Sequence, residues 1–517
     1  MLKTLAPLFL SLLFISNVQA ATPYRLGIVL VVDQFRADYL MRFKDEFVKA
    51  GGATGGFRFL MDQGAYFPLA DHELFQNMTG PGHAGILSGS YPYRNGISIN
   101  AWFNREKGRP EYCVEDESVK LIGSDGALAD KMGMSPKNFN ATTLGDELKN
   151  VDRPSRVVSV AIKDRAAVLL GGKRADIAVW LEDKSCQWVS SSFYVKELPE
   201  FVKGENKKLK ELSDKTMDWG PYHSAKYCST ESLQTPWGIQ KTFDLALAAV
   251  DGWKLGRGND VDLLAVSLSS HDYLGHRFGP NDSNLKEMTL QEDKKIAAFL
   301  QEIAKRVPGG MKNVFVVLTG DHGIPPSPKN LPKEKIPGEN VDLKLITQSI
   351  ESAMTDKFGK PHSGKWVESI VELQVYFNAD SMTSAKISPA DAVTAIRPKM
   401  LKEKYIDQIW ARDEIMFQRK VPAGEYGRVL DRTLSLRSGD MLLVLNPFFY
   451  SDTYPMTHMT HYSYDRFVPL ILWGKTFKPG TYRQIVRIVD IAPTLSSILE
   501  VIPPAQSEGR ILTEALR

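Results

Sequence analysis

The chain has 517 residues, 43% of them hydrophobic and 24% charged, with a formal charge of +3. That balance excludes a disordered chain or a coiled coil and gives no electrostatic reason to expect nucleic acid as a partner. Three cysteines are too few for a disulfide scaffold or a cysteine-rich metal site.

The N-terminus predicts a secretory signal peptide over residues 1–20. Lys3 precedes an apolar run from Leu5 to Ile15, and Val18-Gln19-Ala20 has the small-x-small form of a cleavage site. The run is too short to span a bilayer, which needs about 20 residues. The expected product is a soluble, exported protein, periplasmic or secreted, without a membrane anchor after cleavage. There Cys113, Cys186 and Cys228 can form at most one internal pair. The sequence does not say which.

Short apolar runs then recur along the chain: Gly27–Val32, Arg156–Ile162, Val261–Leu268, Asn313–Leu318 and Val468–Trp473. Continuous runs of this length suit strands buried on both faces of a parallel sheet. Helical patterns lie between and after them at Thr143–Lys149, Thr242–Leu255, Asp293–Val307 and Asp490–Leu499. The expected fold is α/β, a large, mostly parallel central sheet flanked by helices. Two stretches break the rhythm. Residues of about 171–240 are polar and aromatic with a lysine cluster, and residues of about 325–437 are rich in Pro, Lys and Gly. Both are predicted to be insertions decorating the core.

The chemistry-bearing residues follow the apolar runs. Asp33 ends the first, Lys163 and Arg165 end the second, His271 and Asp272 follow the third, and Asp321 and His322 follow the fourth. Ligand sites of open parallel sheets lie outside the carboxyl ends of the strands. Asp272 and His276 are one helical turn apart and share a face. Aspartate and histidine without cysteine form the ligand set of a hydrolytic metal site. Zinc suits it best, with manganese and iron as competitors. Two carboxylates and a histidine for one ion, and a carboxylate and two histidines for another, would make a two-metal centre. His72, His83, His223, His271 and His362 are expected to be surface or hydrogen-bonded structural groups. The nucleophile candidate is Thr79, in FQNMTGPGHAGILSG, where a glycine-proline-glycine lead into a helix from His83 would favour an anion. A threonine hydroxyl needs a base or a metal to react, and a metal would serve.

In order along the chain, VVDQFRADYL, NMTGPGHAGILSG, ISINAWF, IKDRAA, HDYLGH, TGDHG and THMTHYSYDRFVPLILWG resemble the alkaline phosphatase superfamily. They are most similar to its bacterial phosphate-irrepressible branch, which uses a threonine nucleophile. The resemblance implies two Zn²⁺ ions, one held by Asp33, Thr79, Asp321 and His322, the other by Asp272, His276 and a third histidine. Counting back from Asp465 makes that histidine His458 rather than His461. Met459 stands where the family segment has glycine. The resemblance further implies that Asn100, Lys163 and Arg165 grip the phosphoryl oxygens, and that residues 21–517 form one catalytic domain with inserted cap segments. The 171–240 stretch would be the family's insertion near the site. The implied activity is hydrolysis of small-molecule phosphate monoesters through a phosphothreonine. A phosphodiesterase of the same superfamily is the alternative. A sulfatase would need a Cys- or Ser-based motif at Thr79, and a periplasmic zinc- or phosphate-binding protein would not need the Thr79, Lys163 and Arg165 set.

Overall fold

The computed structural model describes residues 23–517 apart from 50, 53, 152–153, 328–330 and 332–334. The expected signal peptide lies outside the described residues. Among the described residues, the centre is a 12-stranded sheet. Five neighbouring strands at its middle run parallel: β1 (Leu26–Val32), β2 (Val157–Ala161), β3 (Ile177–Glu182), β4 (Asp262–Leu268) and β5 (Val314–Gly320), in the spatial order β5-β1-β4-β2-β3. Every residue of β1, β2, β4 and β5 is buried.

Strand alternation divides these residues between two cores. Ile28, Leu30, Val32, Leu264, Val266, Val316 and Leu318 pack on one face, and Val29, Val31, Leu263, Ala265, Phe315 and Val317 on the other. Each such Val, Ile, Leu or Phe side chain contributes about 1.5–3 kcal/mol on burial. Gly27 admits the Phe315 ring from the neighbouring strand, since a Cβ there would lie 2.2 Å from it. The helices that cover the faces include Pro236–Gly252, Ser283–Arg306 and Ile491–Leu499.

The structure departs from the predicted elements in several places. β6 (Phe467–Trp473) is antiparallel to β5 and to the strand Ala65–Asp71. Burial on both faces produces the same apolar run in either direction, so the sequence pattern does not encode polarity. The helix expected from His83 starts at Thr79 and runs to Ser88. Pro81 sits in its first turn, where a missing N–H costs nothing. The 171–240 stretch does not lie wholly outside the core. It supplies β3 and, next to it, the sheet strand Gln187–Ser191. Its remainder includes a helix, Glu200–Lys210, and a two-stranded ribbon, Thr216–Lys226, with Cys186 and Cys228 joined as a disulfide. Cys113 is free and buried.

Residues of about 341–449 build a cap with its own core. Its four-stranded antiparallel sheet runs Val367–Val371, Gln374–Phe377, Met441–Leu445, Ile406–Ala411, and the helices Leu343–Phe358 and Pro389–Met400 pack on it. The cap sheet takes in residues 441–445, past the 437 expected for this segment. Among the described residues no helix is long and apolar enough to cross a membrane.

Candidate active site

The carboxyl rim of the parallel strands gathers the predicted residues. Asp33 follows β1 directly, Lys163 comes two residues after β2, and Asp321 follows β5. Asp272 and His276 lie on α1 (Ser270–Phe278), which begins just beyond β4. Asp33, Asp321 and His322 have no exposed surface. The Thr79–Ser88 helix is buried along its whole length and aims its N-terminus at this rim. Two glycines permit the approach. A Cβ at Gly82 would lie 2.2 Å from the Asp321 carbonyl, and one at Gly275 would lie 1.7 Å from the Gln34 amide oxygen.

Around Thr79 the polar groups converge on one oxygen. Lys163 Nζ and Arg165 Nη2 each donate to Thr79 Oγ1 at 3.3 Å. Asn100 Oδ1 accepts the Gly80 N–H at 2.8 Å, which turns its Nδ2 donors elsewhere. Arg165 is steadied by the Tyr112 hydroxyl, which accepts from Nη1 at 3.0 Å and donates to Asp164 at 2.6 Å.

Beside this lies a cluster of three carboxylates and three imidazoles. Asp272 Oδ1 lies 3.2 Å from His276 Nε2 and 3.8 Å from His458 Nε2. His322 Nε2 lies 3.5 Å from Asp33 and 3.4 Å from Asp321, and its ring stacks on His458 at 3.7 Å between centroids. The Nδ1–H of each imidazole donates to a backbone carbonyl: His276 to Met456 at 2.7 Å, His458 to Asn77 at 2.7 Å and His322 to Gly323 at 3.0 Å. This fixes the tautomer and leaves each Nε2 as a lone pair facing carboxylate oxygens. Lone pairs held that close repel unless a cation lies between them. His322 Nε2 and Asp33 Oδ1 are buried without a hydrogen-bond partner. Lys163 answers part of the charge, pairing with Asp33 at 2.7 Å and with Asp272. One ammonium does not balance three buried carboxylates. Two groups here have metal-ligand spacing, Asp272 with His276 and His458, and Asp33 with Asp272 and His322. The nitrogen and oxygen donor set fits zinc.

The electrostatics follow the same geometry. Burial, then repulsion from Asp272 and Asp321, pushes Asp33 far above the usual carboxylate range. Burial also opposes ionisation of Asp272 and Asp321, but the neighbouring donors, Lys163 among them, pull both carboxyls below their usual range. Burial lowers the pKa of His322 and of His458, which favours the neutral, metal-competent imidazole. At His276 the pull of Asp272 outweighs burial and raises the pKa.

His461 lies elsewhere, stacked on Phe75 at 4.7 Å and edge-on to Tyr426. Met459, between the two candidate histidines, has φ 104, a conformation glycine tolerates and methionine does not. His72, His83 and His271 are buried and hydrogen-bonded, to Gly320, to Thr79 and Ser267, and to Glu292, whereas His223 and His362 are exposed. His83 also places Nδ1 3.1 Å from Asp321 Oδ2.

Three contributors were not legible from the motifs. Gln34 donates its backbone N–H to Asp321 at 2.9 Å and Nε2 to Asp272 at 2.7 Å, and its position beside Asp33 was the available signal. Tyr112 and Glu372 carry no local signal at all. Glu372 lines, with Thr79, Asn100, Arg165, His276 and His458, a cleft of about 730 Å³ between the rim and the cap.

Residues 27–451 match the family described as type I phosphodiesterase / nucleotide pyrophosphatase. The chain belongs to that family, within the alkaline phosphatase superfamily. It is similar to alkaline phosphatase PhoV of Synechococcus elongatus, 32% identical over 95% of this chain and 93% of that protein. It is likewise similar to alkaline phosphatase PafA of Elizabethkingia meningoseptica, 29% identical over 95% of this chain and 94% of that protein. A crystal structure of wild-type PafA matches 96% of this chain and 100% of that one with a TM-score of 0.85 at 28% identity. Another PafA structure, TM-score 0.86, has a threonine, an asparagine, a lysine and an arginine substituted together. As a member of the superfamily, this chain is a hydrolase whose buried rim carries candidate metal-ligand groups.

Proposed function

We propose that this protein is an exported alkaline phosphatase that hydrolyses small-molecule phosphate monoesters through a phosphothreonine at Thr79. The observation that carries the reading is the convergence of Lys163 and Arg165 on Thr79 Oγ1 beside the carboxylate–imidazole cluster. The named full-length relatives, and the four residue types substituted together in PafA, support it. In this reading residues 21–517 are one catalytic domain, and residues 1–20 direct export.

Two Zn²⁺ ions, one held by Asp33, Thr79, Asp321 and His322 and the other by Asp272, His276 and His458, would supply Lewis-acid charge stabilisation and acidify bound water. Thr79 Oγ1 attacks phosphorus in line and the substrate alkoxide leaves. Lys163 stabilises the ionised Thr79 oxygen by its hydrogen bond. The helix N-terminus at Thr79 adds a positive field. Arg165 grips two non-bridging oxygens in its fork, and Asn100 offers Nδ2 to a third. Water then releases phosphate from Thr79.

A phosphodiesterase is the alternative, and the two cations at Thr79 favour the monoester reading over it. A monoester is a dianion with three free oxygens. A diester has one charge and must place an organic group where Lys163 and Arg165 converge. The wild type is expected to prefer a monoester over a diester strongly in kcat/KM. Lys163→Ala and Arg165→Ala should each cut monoester turnover far more than diester turnover. Equal losses on both substrates would transfer the reading to the diesterase.

A further inference from the structure

Asn100 is clasped from both sides of the cleft. Its carbonyl accepts the Cys113 N–H at 2.8 Å and its Oδ1 accepts the Gly80 N–H at 2.8 Å, both on the core side. The remaining bond comes from the cap. Asn100 N–H donates to Glu372 Oε2 at 2.8 Å, and Ala101 N–H reaches the same oxygen at 3.4 Å.

The cap presents Glu372 at an energetic cost. The hairpin Val367–Val371 to Gln374–Phe377 turns through only two residues, Glu372 at φ 50 and Leu373 at φ 65. Such a turn is ordinarily made by Asn-Gly, because side chains resist positive φ. Leu373 is buried in the cap core and pins one half of the turn. Gln76 pins the other half from the core side, donating Nε2 to the Glu372 carbonyl at 2.6 Å while accepting from Gln374 at 2.6 Å. A strained turn held from both sides points to a role for the side chain it delivers. Burial pushes that carboxyl up to about 7, while the Asn100 and Ala101 N–H groups and Arg165 pull it back.

We propose that Glu372 is a positioning residue: through the Asn100 and Ala101 N–H groups it sets the segment from which Asn100 reaches the phosphoryl oxygens, and so makes the cap a working part of the active site. This rests on the role given to Asn100 above. Glu372 does not touch the reacting atoms, and its hydrogen bonds act through the Asn100–Ala101 segment.

A double-mutant cycle on the metal-loaded full chain, with p-nitrophenyl phosphate as probe, tests it. Glu372→Ala should lower kcat/KM by roughly 10–100-fold, the scale of misplacing a catalytic donor by about 1 Å. Glu372→Gln keeps an acceptor oxygen and should recover most of that loss. In an Asn100→Ala background the same Glu372→Ala change should cost less than about 3-fold, because coupled residues are not additive. Amide exchange in the peptide around Asn100 and Ala101 should rise in Glu372→Ala and stay near wild type in Glu372→Gln. Equal losses in both backgrounds, or unchanged amide exchange in Glu372→Ala, would overturn the proposal. A folded Asn100→Ala enzyme at wild-type rate would overturn the site reading beneath it, and this proposal with it.

Discussion

The carboxyl rim of the central sheet and the cap contribute to one cleft in opposite ways. The rim delivers many groups from rigid elements. Asp33, Asp321 and Lys163 sit within two residues of fully buried strands, and their placement follows from strand register. The cap delivers Glu372 from a two-residue turn with both residues at positive φ. The rim therefore rests on a packed core, and the cap stores local strain to reach the site. The segment from Met456 to His461 joins the two regimes. His458 turns to the rim, stacked on His322, and His461 turns to Phe75 and to Tyr426 of the cap helix Gly424–Thr433.

That contrast can be broken most sharply at Asp272. It pairs with Lys163 and faces both His276 and His458, so it is the hub of the rim cluster. Asp272→Ala is expected to lose bound metal by elemental analysis and to cut monoester turnover by roughly 10³-fold, equivalent to several kcal/mol of lost charge stabilisation. A variant that kept its full metal complement would sever the hub from the metal reading. The two histidines sharpen the boundary between the regions. His458→Ala should lose metal and activity together. His461→Ala should keep both and only lower the melting temperature, at about 1–3 kcal/mol for a lost aromatic contact in a packed cluster. Metal loss in His461→Ala alone would reverse the assignment.

The smallest effect lies between them, at Met459. Ala exceeds Gly in stability at ordinary positions by about 0.5–1 kcal/mol. At φ 104 the order should invert, with Met459→Gly more stable than Met459→Ala by about 1 kcal/mol. Chemical denaturation of the two variants checks the sign. Finding Ala the more stable would mean the loop relaxes to another path.

The same division explains what the sequence made legible. The parallel strands and the residues at their ends could be read because burial on both faces leaves an uninterrupted apolar run, and a polar residue at its end stands out. β6 was readable as a strand but not as antiparallel, because the run carries no direction. β3 was hidden inside a polar stretch, since Ile177–Glu182 is short and flanked by lysines and acids. His458 could be chosen over His461 only by motif register. Geometry supplies a physical reason for the difference, since one ring finds a carbonyl and a carboxylate and the other finds three aromatic rings. Glu372 could not have been found. Its role depends on a hairpin of the cap meeting the segment Asn100–Ala101, far away in sequence, and no local pattern records that meeting.

The central claim is that Thr79 becomes covalently phosphorylated. Acid-quenching the metal-loaded enzyme during monoester turnover, followed by mass spectrometry of its peptides, tests it directly. The account predicts phosphate on the peptide containing Thr79 in the wild type. It predicts none in Thr79→Ala, whose turnover should fall by roughly 10⁴-fold or more. Full activity in Thr79→Ala, with no phosphopeptide in the wild type, would contradict the account and assign the attack to water.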